Sequence, residues 1–259
     1  MDVNTILSQI DLGSWVLPEF QRGYVWNRKQ VRGLMESLYR KHPVGSLLVW
    51  TTQTDNANFR GGQSVAPGTV KLLLDGQQRI TSLYGIIRGE APPFFYGNRD
   101  SFKDLFFNIE TEAFEFYGPV KMADDPRWVD VTKIMVNGVG DAISKLFQTV
   151  EDKSAIETYI QRLNDVQTIQ NIDFHISEVS GAATSVDVVV DIFNKVNSGG
   201  THLSKGDLAL AKICAKWPDA RREMQIKLGR WSDAGYDFKL DWLLRCINSI
   251  VTGEALFSH

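Results

Sequence analysis

The chain has 259 residues, a net charge of −3, and hydrophobic and charged fractions of 43% and 23%. That balance is the one of a soluble globular protein long enough to bury a substantial core. It excludes a histone-like binder coated in base, and no run approaches the roughly 18 apolar residues of a membrane span.

The start, "MDVNTILSQIDLGSW", has no basic n-region and no cleavage pattern, so no signal peptide is expected and the location expected is cytoplasmic. A first helix is predicted over 3–10. "VLPEFQRGYVW" follows as an extended aromatic segment in which Pro18 restricts the backbone. Asn27 is placed to N-cap a helix over about 28–41, whose buried stripe is Val31, Leu34, Met35 and Leu38. His42-Pro43 ends it. "VGSLLVWTT" reads as a buried strand, and a Gly, Asn, Ser and Gln-rich loop over 53–69 separates it from "TVKLLLDG". That second strand is apolar without alternation, the pattern of a sheet covered on both faces. The helix after it carries Ile80, Leu83, Tyr84 and Ile87 on one face, with Gly89 as its C′ residue.

Further on, "DLFFNIE" and "AFEFYG" read as a hairpin, "VGDAISKLFQTV" and "DKSAIETYIQRLNDVQTI" as helices, and "IDFHISEV" as a strand. "VDVVVDIFNKVNSGG" starts β-branched but sets Val189, Ile192, Phe193 and Val196 at helical spacing, which favours helix. Ser204 with Asp207 resembles a capping box, and Leu210, Ile213, Cys214 and Trp217 form the following stripe. The tail is mostly helical. Cys214 and Cys246 lack metal-ligand spacing and read as reduced thiols, and His42, His175, His202 and His259 form no zinc pattern. The "EDK" at 151–153 begins a predicted helix and reads as a solvated face rather than a nuclease motif.

Charge is unevenly placed. Six basic residues (Arg22, Arg28, Lys29, Arg32, Arg40, Lys41) and one acid, Glu36, lie between positions 22 and 41. A basic stretch in an acidic chain fits either a local anionic partner or a solvated helix face.

Three clusters bear chemistry. The first is "LLLDGQQRIT", 72–81. A strand that turns into a helix through Asp-Gly exposes backbone N–H groups at the positive end of a helix. Gly76 lets a ligand come close, Gln77 and Gln78 can donate amide hydrogens, and Arg79 can offer a fork to phosphate oxygens. Asp75 then binds Mg²⁺, orients water or pins Arg79. The alternative is a plain turn in which Asp75 caps the helix and pairs with Arg79. The second cluster is "LPEFQRGYVW": Arg22 can contact phosphate while Tyr24 and Trp26 stack on bases, or Phe20, Tyr24 and Trp26 pack in the core. The third is "NKVNSGGTHLS", where Asn197 and Ser198 border a ligand or a flexible double-glycine turn.

In this order the three clusters resemble the N-terminal domain of GmrSD-type, type IV restriction enzymes, related to the ParB/sulfiredoxin-like superfamily. The matching stretches are 17–50, 72–87 and 193–213. The resemblance implies an α/β (α+β) fold: a ParB-like core with a mixed sheet over 1–110, and a hairpin and helical part over 111–259 that completes a pocket. It implies nucleoside-triphosphate hydrolysis, with GTP and Mg²⁺, linked to restriction of modified phage DNA. By position, Asp75, Gln78 and Arg79 would be catalytic and Asp75 the Mg²⁺ ligand. Gly76, Gln77, Gln21, Arg22, Asn197 and Ser198 would hold nucleotide phosphate. Tyr24, Trp26, Arg28, Lys29 and Arg32 would face nucleic acid. Full-length relatives often carry a C-terminal HNH-like nuclease domain for which this chain is too short, so the expectation is that cleavage resides in a missing domain, in another subunit, or nowhere. A homodimer is open to it, and no membrane partner is expected. Without hydrolysis the same pocket could clamp DNA, or nick it directly.

Overall fold

A computed structural model describes residues 1–19, 21–54, 59–60, 67–149, 153–180, 186–196, 209–210, 213–214, 217 and 219–253. They fall into two compact units. The first is Met1–Leu12, Gly23–Leu47 and Gly76–Ser177; the second is Gly13–Arg22, Leu48–Asp75 and Glu178–His259. Position 110 lies inside the first unit. Neither unit is a contiguous stretch of chain.

The first unit opens with α1 (Val3–Asp11), N-capped by Asp2, whose carboxylate accepts from the Thr5 N–H. Helix α2 (Arg28–Tyr39) starts as expected at Asn27. Its side chain accepts from the N–H groups of Lys29 and Gln30 while Gln30 reaches back to the Asn27 N–H, a reciprocal pair. Such a cap stabilises a helix by about 1 kcal/mol. Val31, Leu34, Met35 and Leu38 are all buried, as the spacing requires. Helix α3 (Gln77–Arg88) is buried over most of its length, and Gly89 closes it at φ 76°. Phe102 fills the space left by Gly85: a Cβ on that glycine would overlap the Phe102 ring.

Strands β5 (Leu105–Asn108) and β6 (Ala113–Phe116) form the expected hairpin, and β7 (Trp128–Asp130) adds to the other edge of β5. Helices α4 (Pro119–Met122), α5 (Val131–Asn137), α6 (Gly140–Thr149) and α7 (Lys153–Gln167) complete this unit.

The second unit is built on a mixed sheet. Strand β1 (Trp15–Pro18) runs parallel to β4 (Thr69–Asp75) and antiparallel to β3 (Phe59–Arg60), while β2 (Leu47–Gln53) is antiparallel to β4. The strand order is β3-β1-β4-β2-β8, with β8 (Ile176–Val179) shorter than its sequence suggests. Leu72, Leu73 and Leu74 are all buried although successive side chains point to opposite faces, so β4 is covered on both sides.

The C-terminal part is helical, as expected: α8 (Val186–Val196), α9 (Ala220–Asp233) and α10 (Leu240–Thr252). One core cluster joins Val16, Trp50, Val70, Leu72 and Leu74 of the sheet to Val189, Phe193, Leu210, Cys214, Met224 and Leu244. The stripe continues with Ile213 but not with Trp217, which is 44% exposed. Cys214, buried, and Cys246, half-buried, are not in a disulfide. The expected capping pair at 204 and 207 lies outside the described residues.

Candidate functional site

Strand β4 ends at half-buried Asp75, opposite Leu48 of β2. Gly76 follows at φ 97° and is the N-cap of α3. A Cβ there would collide with Leu47 Cδ2 and stand 3.3 Å from Arg79 Nη2, so both the backbone angle and the neighbours demand glycine. As a glycine, the N-cap residue has no side chain of its own to cap the helix. The alternative in which Asp75 serves as the cap is therefore corrected: a left-handed glycine occupies that position. The first turn places its N–H groups and the positive end of the helix beside Gly76.

The side chains that follow have structural partners. Arg79 donates from Nη1 to the Val44 carbonyl and from Nη2 to the Ser46 carbonyl, 2.8 Å away. Its fork thus straddles Gly45, the residue between those carbonyls, whose φ is 84°. Gln78 accepts at Oε1 from the N–H groups of Val25 (2.9 Å) and Trp26 (3.2 Å), and donates from Nε2 to the Gly23 carbonyl. The expected fork to phosphate is corrected accordingly: two donor positions of Arg79, and the amide of Gln78, are committed to backbone. Gln77 is buried.

Tyr24 is the second correction. Its ring is 6% exposed and packs against Phe95 and Phe102 at centroid distances of 5.8 and 5.7 Å, so it does not stack on a base. Its hydroxyl lies 2.8 Å from Ser82 Oγ. Ser82 spends its one proton on the Gln78 carbonyl, so Tyr24 is the donor. Burial pushes the phenol up to about 12, and the Ser82 hydrogen bond opposes this. The Tyr24 N–H donates to the Tyr96 carbonyl at 2.7 Å, and Gly97 is required beside it, because a Cβ there would meet the Tyr24 carbonyl at 2.6 Å.

In the second unit Gln21 is 2% exposed, and its Nε2 donates to the carbonyls of Leu73 and Leu74 (2.9 Å to the latter). It fastens the segment after β1 to β4. Arg22 is half-buried.

On α2, Arg28 donates to the Asp100 carbonyl at 3.1 Å and lies over the Phe116 ring. Arg32 pairs with Glu36 at 3.5 Å. Lys29 is exposed, and Trp26 is half-buried. Asn197 and Ser198 lie outside the described residues.

The sequence reading missed the Val44–Gly45–Ser46 loop, Ser82 and Gly97. The available signal was the glycine set just ahead of the apolar run "SLLVW".

Among the described residues no group of three or more His, Cys, Asp or Glu could cage a metal. Asp75 alone fits only an ion that takes most of its ligands from phosphate and water, as Mg²⁺ does. Among the same residues no helix is long and apolar enough to cross a membrane.

Residues 3–214 match the family described as GmrSD restriction endonuclease, N-terminal domain. The chain is also similar to an uncharacterized protein of Methanocaldococcus jannaschii, 37% identical over 82 residues, which is 28% of this chain and 14% of that protein. The chain therefore spans a small part of that relative's length.

Proposed function

From the premise that this chain belongs to the GmrSD restriction endonuclease N-terminal domain family, we propose that it binds and hydrolyses a nucleoside triphosphate, GTP foremost, in the service of DNA restriction and defence against phage. The observation that carries this reading is Gly76: a left-handed glycine at the N-cap of a helix, where the strand turns directly into α3. Such a start gathers main-chain N–H groups at the positive end of a helix dipole, the arrangement that suits a terminal phosphate.

In the proposed reaction a water oxygen attacks the γ-phosphorus and the bond to the β,γ-bridging oxygen breaks. Nucleoside diphosphate and inorganic phosphate leave. Arg79 contributes as a fixed positive charge within the first turn, held by Val44 and Ser46 rather than folded around the phosphate. Asp75, the residue before Gly76, takes the attacking water's proton. Its second carboxylate oxygen would hold Mg²⁺, which when bound would supply positive charge to the transferred phosphoryl group. DNA, modified DNA in particular, is the proposed partner, with strand cleavage supplied by a nuclease domain or subunit, in the cytoplasm.

A second reading is a DNA-binding module without hydrolysis. It is favoured by the basic run of α2 and its end, where Arg28, Lys29, Arg40 and Lys41 are exposed. The deciding measurement is phosphate release from ATP, GTP, CTP and UTP, with and without DNA. The wild-type chain should release phosphate and Asp75→Asn should not. Equal rates from the two overturn the hydrolysis reading. Nucleotide-independent DNA affinity that falls steeply with salt supports the second.

A further inference from the structure

Beyond residue 214, where the family match ends, the second unit carries a surface feature that the nucleotide reading does not use. Helices α9 and α10 are joined by a turn through Gly235, at φ 91°. The turn is closed by the Tyr236 N–H donating to the Trp231 carbonyl at 2.8 Å. It sets three aromatic rings in parallel. The Tyr236 and Phe238 rings are 1° apart with centroids 6.0 Å apart, and the Phe238 and Trp242 rings are 11° apart with centroids at 4.1 Å.

Trp231 braces the row from the side. It meets Phe238 at 86° and Trp242 at 79°, and it also packs against the core cluster of this unit. The ladder is thus fixed before any ligand arrives. Among the described residues its two outer rings are exposed, Tyr236 by 59% and Trp242 by 43%.

The nearby charges cancel. Lys239 Nζ lies 2.8 and 3.0 Å from the two Asp237 carboxylate oxygens, and Arg245 Nε lies 2.7 Å from Asp241. Neither carboxylate is left to repel an incoming anion on its own, and neither cation is offered undivided to a phosphate backbone.

We propose that the Tyr236–Phe238–Trp242 ladder is a stacking platform for unpaired nucleobases. Parallel, pre-set rings with a free π-face are what a base needs to continue a stack, and every base can do so whatever its sequence. A duplex keeps all but its two terminal base faces inside and gains little from such a platform. Because the flanking cations are shared with carboxylates, binding here depends on stacking more than on phosphate contact, and its salt dependence is shallow. The platform stands independently of nucleotide hydrolysis.

The test uses the whole chain, a fluorescein-labelled thymidine decamer, the same strand annealed into a blunt duplex, and free thymidine. Anisotropy should show the decamer bound, with Tyr236→Ala raising its Kd about tenfold, within the range for loss of one base–aromatic stack. Tyr236→Phe should bind like wild type, and duplex binding should not respond to either change. Competition by free thymidine identifies the base itself as the ligand; its failure, with the decamer still sensitive to Tyr236→Ala, identifies the linked strand. Both support the platform. A decamer Kd unchanged in Tyr236→Ala, or no decamer binding, overturns it. So does a chain whose sedimentation shifts from dimer to monomer on Tyr236→Ala while the decamer Kd stays put, because the rings then meet a second copy. Tyr236 is mostly exposed, so its truncation leaves the fold to Trp231. Unchanged nucleotide hydrolysis in Tyr236→Ala separates a failure here from a failure of the hydrolysis reading.

Discussion

The guanidinium of Arg79 sits where a side chain on Gly45 would be. A Cβ at Gly45 would stand 2.8 Å from Arg79 Nη1, and the two carbonyls flanking Gly45 are those that Arg79 binds. The arginine and the glycine are therefore one device. It fixes the loop before β2 against the first turn of α3.

Gly45→Ala should destabilise the protein by about 1–3 kcal/mol, since it combines a left-handed backbone with a displaced guanidinium. Gly33→Ala is the matched control. Gly33 lies within α2 with nothing within 4 Å of its would-be Cβ, so alanine there should stabilise by roughly 0.5–1 kcal/mol. Urea unfolding of the two variants should move the midpoint in opposite directions.

Gln78→Ala should cost about 1–3 kcal/mol by leaving the Val25 and Trp26 N–H groups and the Gly23 carbonyl without this side chain. Gln78→Glu keeps an acceptor for the two N–H groups but turns a carboxylate oxygen toward the Gly23 carbonyl. It should recover part of the loss, aided by a negative charge in the first turn of α3. Hydrogen exchange at the Val25 amide would follow the loosening.

Arg79→Lys separates charge from shape. Lysine keeps the charge but offers a single ammonium where a planar fork reaches two carbonyls. Stability should fall by about 1–2 kcal/mol. If Arg79 acts as a held charge, phosphate release should be reduced but measurable in the lysine variant and absent in Arg79→Ala. Hydrolysis by Arg79→Ala at the wild-type rate would remove Arg79 from the chemistry.

Alkaline pH should unfold the protein through its buried tyrosines. Tyr24 has a folded-state pKa of about 12 against 10.0 for the free phenol, raised chiefly by burial. The folded state then holds its proton more tightly than the unfolded chain. That contribution is complete below pH 10 and is lost as pH rises toward 12, by about 2–3 kcal/mol in all. Half-buried Tyr39 and buried Tyr84 are raised as well, by burial first and then by the carboxylates of Glu112 and Asp11 that their hydroxyls meet, and act in the same direction. Tyr24→Phe should flatten part of the loss. Ser82 keeps its bond to the Gln78 carbonyl in that variant, so the cost at neutral pH should stay within about 1 kcal/mol. Thermal melts at pH 8, 10 and 11 would show both effects.

Local elements were largely legible because their signals are local. The stripe of α2, its Asn27 cap, the β5–β6 hairpin and Gly89 all follow from neighbours a few positions apart. The partners of the motif side chains were not. Arg79 meets carbonyls 33 and 35 positions away, and Tyr24 meets a hydroxyl 58 positions away. Periodicity tells which face of a helix is inside, not what lies opposite. An arginine spells the same letter whether its fork takes a phosphate or two carbonyls. Trp217 extends a helical stripe on paper yet ends up exposed, because the regular pattern runs one step past the packing that uses it.

The interleaving of the two units has a consequence for biosynthesis. The chain changes unit after Leu12, Arg22, Leu47, Asp75 and Ser177. Leu72 and Leu74 of β4 share a core with Leu243 and Leu244 of α10. At translation speeds of about 5–20 residues per second, these leucines wait on the order of ten seconds or more for their partners to leave the ribosome. During that interval the nascent sheet exposes its stickiest strand, so holding chaperones should engage the chain before α10 is made.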